Sequence, residues 1–124
     1  MSSWRYLTSD EVLEISRPHG VSEVVNLDKL DACTGAPSQS FAGVDLYPTI
    51  MDKATAIAYA IAKIYHPFLD GNKRAAAASV LAMCYVNGYS PKVTQFELVA
   101  VILLVAEGQI SRDDLSGFIR GKLL

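Results

Sequence analysis

His66-Pro67-Phe68-Leu69-Asp70-Gly71-Asn72-Lys73-Arg74 runs directly into Ala75-Ala76-Ala77-Ala78-Ser79-Val80-Leu81-Ala82-Met83-Cys84-Tyr85. The second stretch is apolar nearly all round, as expected of a helix buried on every side. Asn72 is a residue type that caps helices, and Gly88 after Asn87 supplies a stop. Pro67 disfavours helical geometry at His66, so the preceding helix ends there. The junction therefore separates two helices, and the second is expected at the centre of the fold.

Upstream of the junction, Pro48 stands where a helix tolerates proline, in its first turn. Ile50, Met51, Ala54, Ile57, Ala58, Ile61, Ala62 and Tyr65 then recur at three- and four-residue intervals. This predicts one alanine-rich amphipathic helix as far as Tyr65. Thr8-Ser9-Asp10-Glu11 is a capping box that starts an earlier helix, stopped by Pro18 and Gly20. A short helix is expected over Leu27 to Cys33, capped by Asn26. Residues Thr34 to Tyr47 contain Gly35, Pro37, Ser38, Ser40 and Gly43 and read as the longest irregular stretch, of the kind that often carries function. Downstream, Thr94-Gln95-Phe96-Glu97 is a second capping box, with its helix ending at Gly108. Ser111-Arg112-Asp113-Asp114 starts a last helix carrying Leu115, Phe118, Ile119 and Leu123. No segment alternates convincingly at strand length. The expected architecture is all-α, a single domain over residues 1–124 with about five or six helices.

Composition agrees with a packed domain. Of 124 residues, 51% are hydrophobic and 19% charged, and the formal net charge is −2. No run of Lys or Arg forms a basic face, which argues against nucleic acid as the main partner. Cys33 and Cys84 make neither a C-x-x-C pair nor a zinc site, and Cys84 reads as a small buried hydrophobe. Met1-Ser2-Ser3-Trp4-Arg5 lacks the apolar core of a signal peptide. The longest apolar run, Leu98 to Ala106, falls well short of the ~20 residues that span a bilayer. A cytoplasmic protein without membrane contact is expected.

The junction itself holds the chemistry. The first amides of a helix lack internal partners, and the helix dipole places positive potential there. Gly71 permits close approach to the backbone. Lys73 and Arg74 add two cationic side chains where the dipole disfavours cations, so an anionic ligand would explain them. Gly71, Asn72, Lys73 and Arg74 thus describe a phosphate site. Asp70 beside it is suited to Mg²⁺, a hard cation that takes oxygen ligands. His66, across the turn, is suited to act as general base for a hydroxyl nucleophile. Phe68 reads as an anchor beneath the loop. These are the parts needed to transfer a phosphorus group to an alcohol. Neither a G-x-x-x-x-G-K-[ST] nor a G-x-G-x-x-G sequence is present. His19, between Pro18 and Gly20, reads as a loop residue.

The nine residues from His66 to Arg74 resemble the Fic motif, H-P-F-x-[DE]-G-N-[GK]-R. The resemblance extends along most of the chain and is strongest to the Doc, or death-on-curing, branch. Tyr6-Leu7-Thr8 resembles that branch's opening. Phe41-Ala42-Gly43-Val44-Asp45-Leu46-Tyr47-Pro48 resembles its flap and following helix start, and Ala106 to Ser111 its C-terminal turn. The resemblance implies an ATP- and Mg²⁺-dependent transferase with His66 as base and Asp70 as metal ligand. Asn72, Lys73, Arg74 and the Gly71 amide would hold phosphates. Phe41, Gly43 and Tyr47 would belong to a flap that docks a target segment through backbone pairing.

Two positions point within the family. Classical Fic enzymes have glycine where this chain has Lys73, and a second arginine where it has Ala77. The Doc-like pattern implies that the γ-phosphate of ATP is presented to a protein hydroxyl, with elongation factor EF-Tu as the type member's target. The self-inhibitory pattern [ST]-x-x-x-E-[GN] is absent, since Leu103 stands four residues before Glu107-Gly108. This suits a toxin neutralised in trans by a cognate antitoxin. Two alternatives stand beside this expectation: a protein adenylyltransferase, and an inactive relative that serves as a binding module.

Overall fold

Side-chain caps set most of the helix starts. The computed structural model describes residues 3–124. Met1 and Ser2, part of the N-terminus read as lacking a signal-peptide core, lie outside the described residues. Helix α1 spans Ser9–Ser16 and runs into a 3₁₀ turn, Arg17–His19. Helix α2 spans Leu27–Gly35, followed by a 3₁₀ turn, Ala36–Ser38. Strands β1 (Ser40–Phe41) and β2 (Val44–Asp45) form a minimal hairpin. Helix α3 spans Ile50–Tyr59 and continues as a π-helical segment, Ala60–Tyr65. Helices α4 (Asn72–Val86), α5 (Gln95–Ala106) and α6 (Arg112–Lys122) complete the chain. Thr8, Asn26, Thr49, Thr94 and Ser111 each accept a hydrogen bond from a first-turn amide of the helix they precede. The all-α expectation holds, and no described helix is long and apolar enough to cross a membrane.

Helix α4 occupies the centre, packed against α1, α3, α5 and the π segment. Residues Ala75 to Val80 are all buried. The facing helix α3 buries Ala54, Ala56, Ile57 and Ala58. Methyl-sized side chains on both helices let the backbones approach closely, so added volume here would force strain. Leu30, Val80, Met83, Leu98, Ile102, Leu115 and Ile119 fill the space around this pair within one hydrophobic cluster.

Three boundaries differ from the sequence reading. Pro48 lies outside α3, because Thr49 takes the cap position and bonds the Asp52 amide. The helix that was expected to be regular as far as Tyr65 changes to π geometry at Ala60. The stretch Thr34 to Tyr47 is ordered, with the end of α2, a 3₁₀ turn and the hairpin. The hairpin pairs Ser40 with Asp45 and Phe41 with Val44. Its turn residues Ala42 and Gly43 both have positive φ, 51° and 79°. That is the backbone a two-residue hairpin turn demands, here met by an alanine instead of the usual Asn or Asp.

The hairpin is held by a buried lysine. Lys53 of α3 is completely buried. Its Nζ donates to Asp45 Oδ2 at 2.7 Å, Tyr6 Oη at 3.0 Å and the Pro37 carbonyl at 3.2 Å. It also lies 5.2 Å from the ring centroids of Trp4 and Tyr6. Such an ammonium is tolerated because it is paired and fully hydrogen-bonded. Burial pulls its pKa down, and its bonds to Asp45 and Tyr6 outweigh that, leaving it above the ordinary lysine value. The hydrogen bonds from Lys53 and from the Tyr47 amide hold Asp45 below its ordinary value of 3.8. A lowered carboxylate contributes its stability above the ordinary value and loses it as pH falls through the lowered one. Lys53→Met is therefore expected to lower the thermal midpoint at neutral pH. In thermal scans across pH, the wild type's advantage should stay level down to about pH 5 and shrink below pH 3.8. A gap that does not narrow in acid would mean that Lys53 acts through packing and not through Asp45.

Candidate functional site

The π segment delivers His66. A π turn inserts one extra residue into the helical register and is a recurrent feature of functional sites. Its bond is explicit: the His66 amide donates to the Ile61 carbonyl at 3.2 Å. His66 then adopts φ 48° and ψ 61°, the left-handed region. That conformation costs a non-glycine residue about 1–2 kcal/mol. The following Pro67 withholds the right-handed alternative at this position. The imidazole is exposed, with no hydrogen-bond partner among the described residues.

From Pro67 to Leu69 the chain is fixed on two sides. The Val25 amide donates to the Pro67 carbonyl at 2.9 Å, and the Leu69 amide donates to the Glu23 carbonyl at 2.9 Å. These bonds bracket an antiparallel bridge between Val24 and Phe68. On the other side, the Phe68 amide donates to Asn72 Oδ1 and Asn72 Nδ2 donates to the Phe68 carbonyl, both at 3.0 Å. The Phe68 ring is buried at 2% exposure and anchors this loop in the core. Every main-chain polar group from the Pro67 carbonyl to the Leu69 amide thus has a partner.

Among the described residues, the start of α4 differs from that of every other α-helix. Gly71 sits in the cap position at φ 85°, and no side chain caps the helix. The expectation that Asn72 caps α4 is corrected: Asn72 is the first helical residue, and its carboxamide is turned back onto Phe68. The first intrahelical bond is Ala75 to Gly71, at 2.9 Å. The amides of Asn72, Lys73 and Arg74 therefore have no acceptor among the described residues. A Cβ at Gly71 would come within 2.5 Å of Val21 Cγ2 and 2.8 Å of Arg74 Nη2, so only glycine fits.

Cations gather around these open amides. Arg74 Nη1 donates to the His19 carbonyl, and Nη2 lies 3.5 Å from Asp70 Oδ2. The Asp70 side chain is 92% exposed and the Arg74 side chain 40%. Exposed pairs of this kind contribute little stability, so Asp70 remains free to take another cation. Lys73 is half-buried and has no ion-pair partner among the described residues. Beside Arg74 opens a mainly apolar slot of about 420 Å³, lined by His19, Arg74, Gln95, Phe96 and Val99. Gln95 Nε2 donates to the Arg74 carbonyl at 2.9 Å, which ties α5 to the site. The flap residues Phe41 and Gly43 are exposed at the hairpin tip, and Tyr47 is half-buried at its base. Both thiols are buried, which pushes Cys33 up to about 12 and Cys84 to about 11, so neither is a competing nucleophile.

Sequence reasoning did not find the strap formed by His19 to Val25. Its hydrogen bonds to the loop are made by the backbone, and these leave no mark on residue identity. Gly20, at φ 78° and close to Arg74 Nη1, and the buried apolar Val21 beside Gly71 carried what signal there was.

In this all-α fold an uncapped central helix offers open amides and cations next to an exposed histidine, a surface suited to anionic oxygens. The Fic/DOC family model matches residues 6–84, more than half of the chain, and the chain belongs to that family. Toxin Doc of Mycolicibacterium smegmatis is 38% identical over 69 residues, which cover 56% of this chain and 52% of that protein. The match thus spans about half the length of this curated relative.

The Asn72 bracket is open to direct measurement. Asn72→Ala removes both bonds to Phe68 and is expected to destabilise the fold by about 1–2 kcal/mol in urea titrations. Amide exchange at Phe68 and Leu69 should accelerate more than exchange in α5. Equal acceleration everywhere would show that Asn72 supports the fold in general and not this loop.

Proposed function

We propose that this chain is a Doc-like toxin that transfers the γ-phosphate of ATP to a hydroxyl of a protein target. The observation that carries this reading is the open start of α4. Among the described residues, five of the six α-helices are capped by a side chain, and the uncapped one presents Lys73 and Arg74 beside its free amides. Such an arrangement favours bound anionic oxygens. The residues present also fit Mg²⁺. No cluster of three or more His, Cys, Asp or Glu forms a protein cage among the described residues. One exposed carboxylate, Asp70, suits an ion that binds mainly through substrate phosphates and water.

In this reading the amides of Asn72, Lys73 and Arg74 and the two cationic side chains orient the polyphosphate. The Asn72 carboxamide takes no part in binding, since it holds Phe68. The slot beside Arg74 has room for the base. Mg²⁺ held by Asp70 would offset charge on the phosphoryl oxygens. His66 takes the proton from the target hydroxyl as its oxygen bonds to the γ-phosphorus and the bond to the β-bridging oxygen breaks, leaving ADP. Ala77 is fully buried and faces the core, so no second arginine stands three residues after Arg74 to seat the nucleotide for AMP transfer.

The expected target is EF-Tu, with inhibition of translation in the cytoplasm as the outcome. Control in trans by an antitoxin agrees with the end of α5, where Glu107 is the C-cap and Leu103 stands in place of an inhibitory hydroxyl residue.

Parallel reactions with EF-Tu, Mg²⁺ and ATP labelled at the γ- or α-phosphate test the reading. Label on EF-Tu from γ-ATP alone is expected, and α-label alone would make the protein an adenylyltransferase. His66→Ala should lower transfer by at least about 10²-fold while leaving the thermal midpoint near wild type, because the side chain is exposed and unpartnered. Asp70→Ala should weaken the Mg²⁺ dependence together with the rate. Full transfer by His66→Ala would remove it as the base.

A further inference from the structure

Arg112 stands where the flap, α3 and α6 meet, and nothing in the phosphate site calls for it. It is the first residue of α6. Its Nη2 donates to Tyr47 Oη at 3.1 Å. Its guanidinium carbon lies 4.7 Å from the Tyr59 ring centroid and 5.5 Å from that of Tyr47. Tyr47 is the base of the flap. Tyr59 is the last residue of α3 before the π segment that ends at His66. A guanidinium between two aromatic rings is a planar cation over planar partners, an arrangement that lysine cannot reproduce.

The same end of the flap carries a second attachment. The Tyr47 amide donates to Asp45 Oδ1 at 2.9 Å, and Asp45 Oδ2 accepts from Lys53. The hairpin base is thus held by two cations from two helices, while its tip stays free. Phe41 and Val44, paired across the strands, are 76% and 67% exposed. A tip with an exposed apolar pair on a fixed base is built to present a surface at a set position.

We infer that Arg112 is a positioning residue that locks the base of the flap to the helix whose end bears His66, and so sets where a protein target lies relative to that histidine. The last clause rests on the proposed transferase function. The lock itself does not, and hydrogen exchange decides it separately.

The full-length protein is compared with Arg112→Met and with the milder Tyr47→Phe, which keeps the ring and removes the acceptor. Amide exchange is read at Leu46, whose N–H closes the hairpin onto the Gln39 carbonyl at 3.0 Å. Exchange at Leu46 should rise at least about tenfold in Arg112→Met, with α4 amides unchanged. Arg112→Lys should rescue it only in part. The double variant should open the flap no further than Arg112→Met alone, as expected for two groups in one contact. In transfer to EF-Tu, KM for the protein should rise about fivefold or more in Arg112→Met, with KM for ATP and kcat held within about twofold. Unchanged exchange at Leu46, or additive effects of the two substitutions, would overturn the lock. A loss of kcat with KM for the protein unmoved would overturn its role in placing the target. Should wild type transfer nothing to EF-Tu, the transferase reading fails on that target, and the exchange result still decides the lock.

Discussion

A helix start that is left without a cap is the constraint from which the site follows. Helix starts expose amides that fold best when a side chain accepts from them, and this protein supplies such a side chain elsewhere. At α4 the neighbouring carboxamide could serve but is turned backward onto Phe68. The same residue thereby stiffens the loop before the helix and leaves the helix amides unsatisfied. Glycine at position 71 completes the arrangement, since any side chain there would meet Val21 and Arg74. The protein forgoes roughly 1 kcal/mol of capping and leaves open amides at the start of its central helix.

The fold uses its cations in two opposite ways. Lys53 is enclosed, bonded on three sides and structural. Lys73 and Arg74 sit at a helix end that electrostatically repels them, with room left around their charges. Arg112 belongs with Lys53, since its charge is spent on aromatic rings and a phenol. Charge alone therefore does not separate structural from functional cations here. Their place on the helix does, because Lys73 and Arg74 stand at an N-terminus whose dipole disfavours cations, and Lys73 has no ion-pair partner among the described residues.

Much of this was legible in the sequence. The capping boxes at Thr8 and Thr94 wrote two helix starts directly, because a hydroxyl and a carboxylate three residues apart have one efficient geometry. The alanine run after Arg74 identified the central helix, because methyl-only side chains suit close packing on all sides. The nine residues from His66 to Arg74 marked the candidate site. What stayed hidden has physical reasons. The π segment at Ala60 keeps the apolar spacing of a helix and shifts only the register. The hairpin turn uses Ala42, which has no side-chain preference for positive φ. Asn72 is of a residue type that caps helices, and which way its carboxamide points is decided by the Phe68 backbone it meets in the fold. The strap at Glu23 to Val25 acts through its backbone and has no sequence signature.

The strap also ties function to the order in which the chain becomes whole. His19 and Arg74 are 55 residues apart, and the Arg5–Asn87 contacts span 82. Closing such loops costs entropy that only the assembled core returns. During synthesis the strap leaves the ribosome long before the loop it will hold, and α5, which secures the Arg74 carbonyl, emerges later still. A nascent or clipped chain that contains the whole stretch from His66 to Arg74 would still lack the partners that shape it. The shape of this junction is thus withheld until α5 has been made.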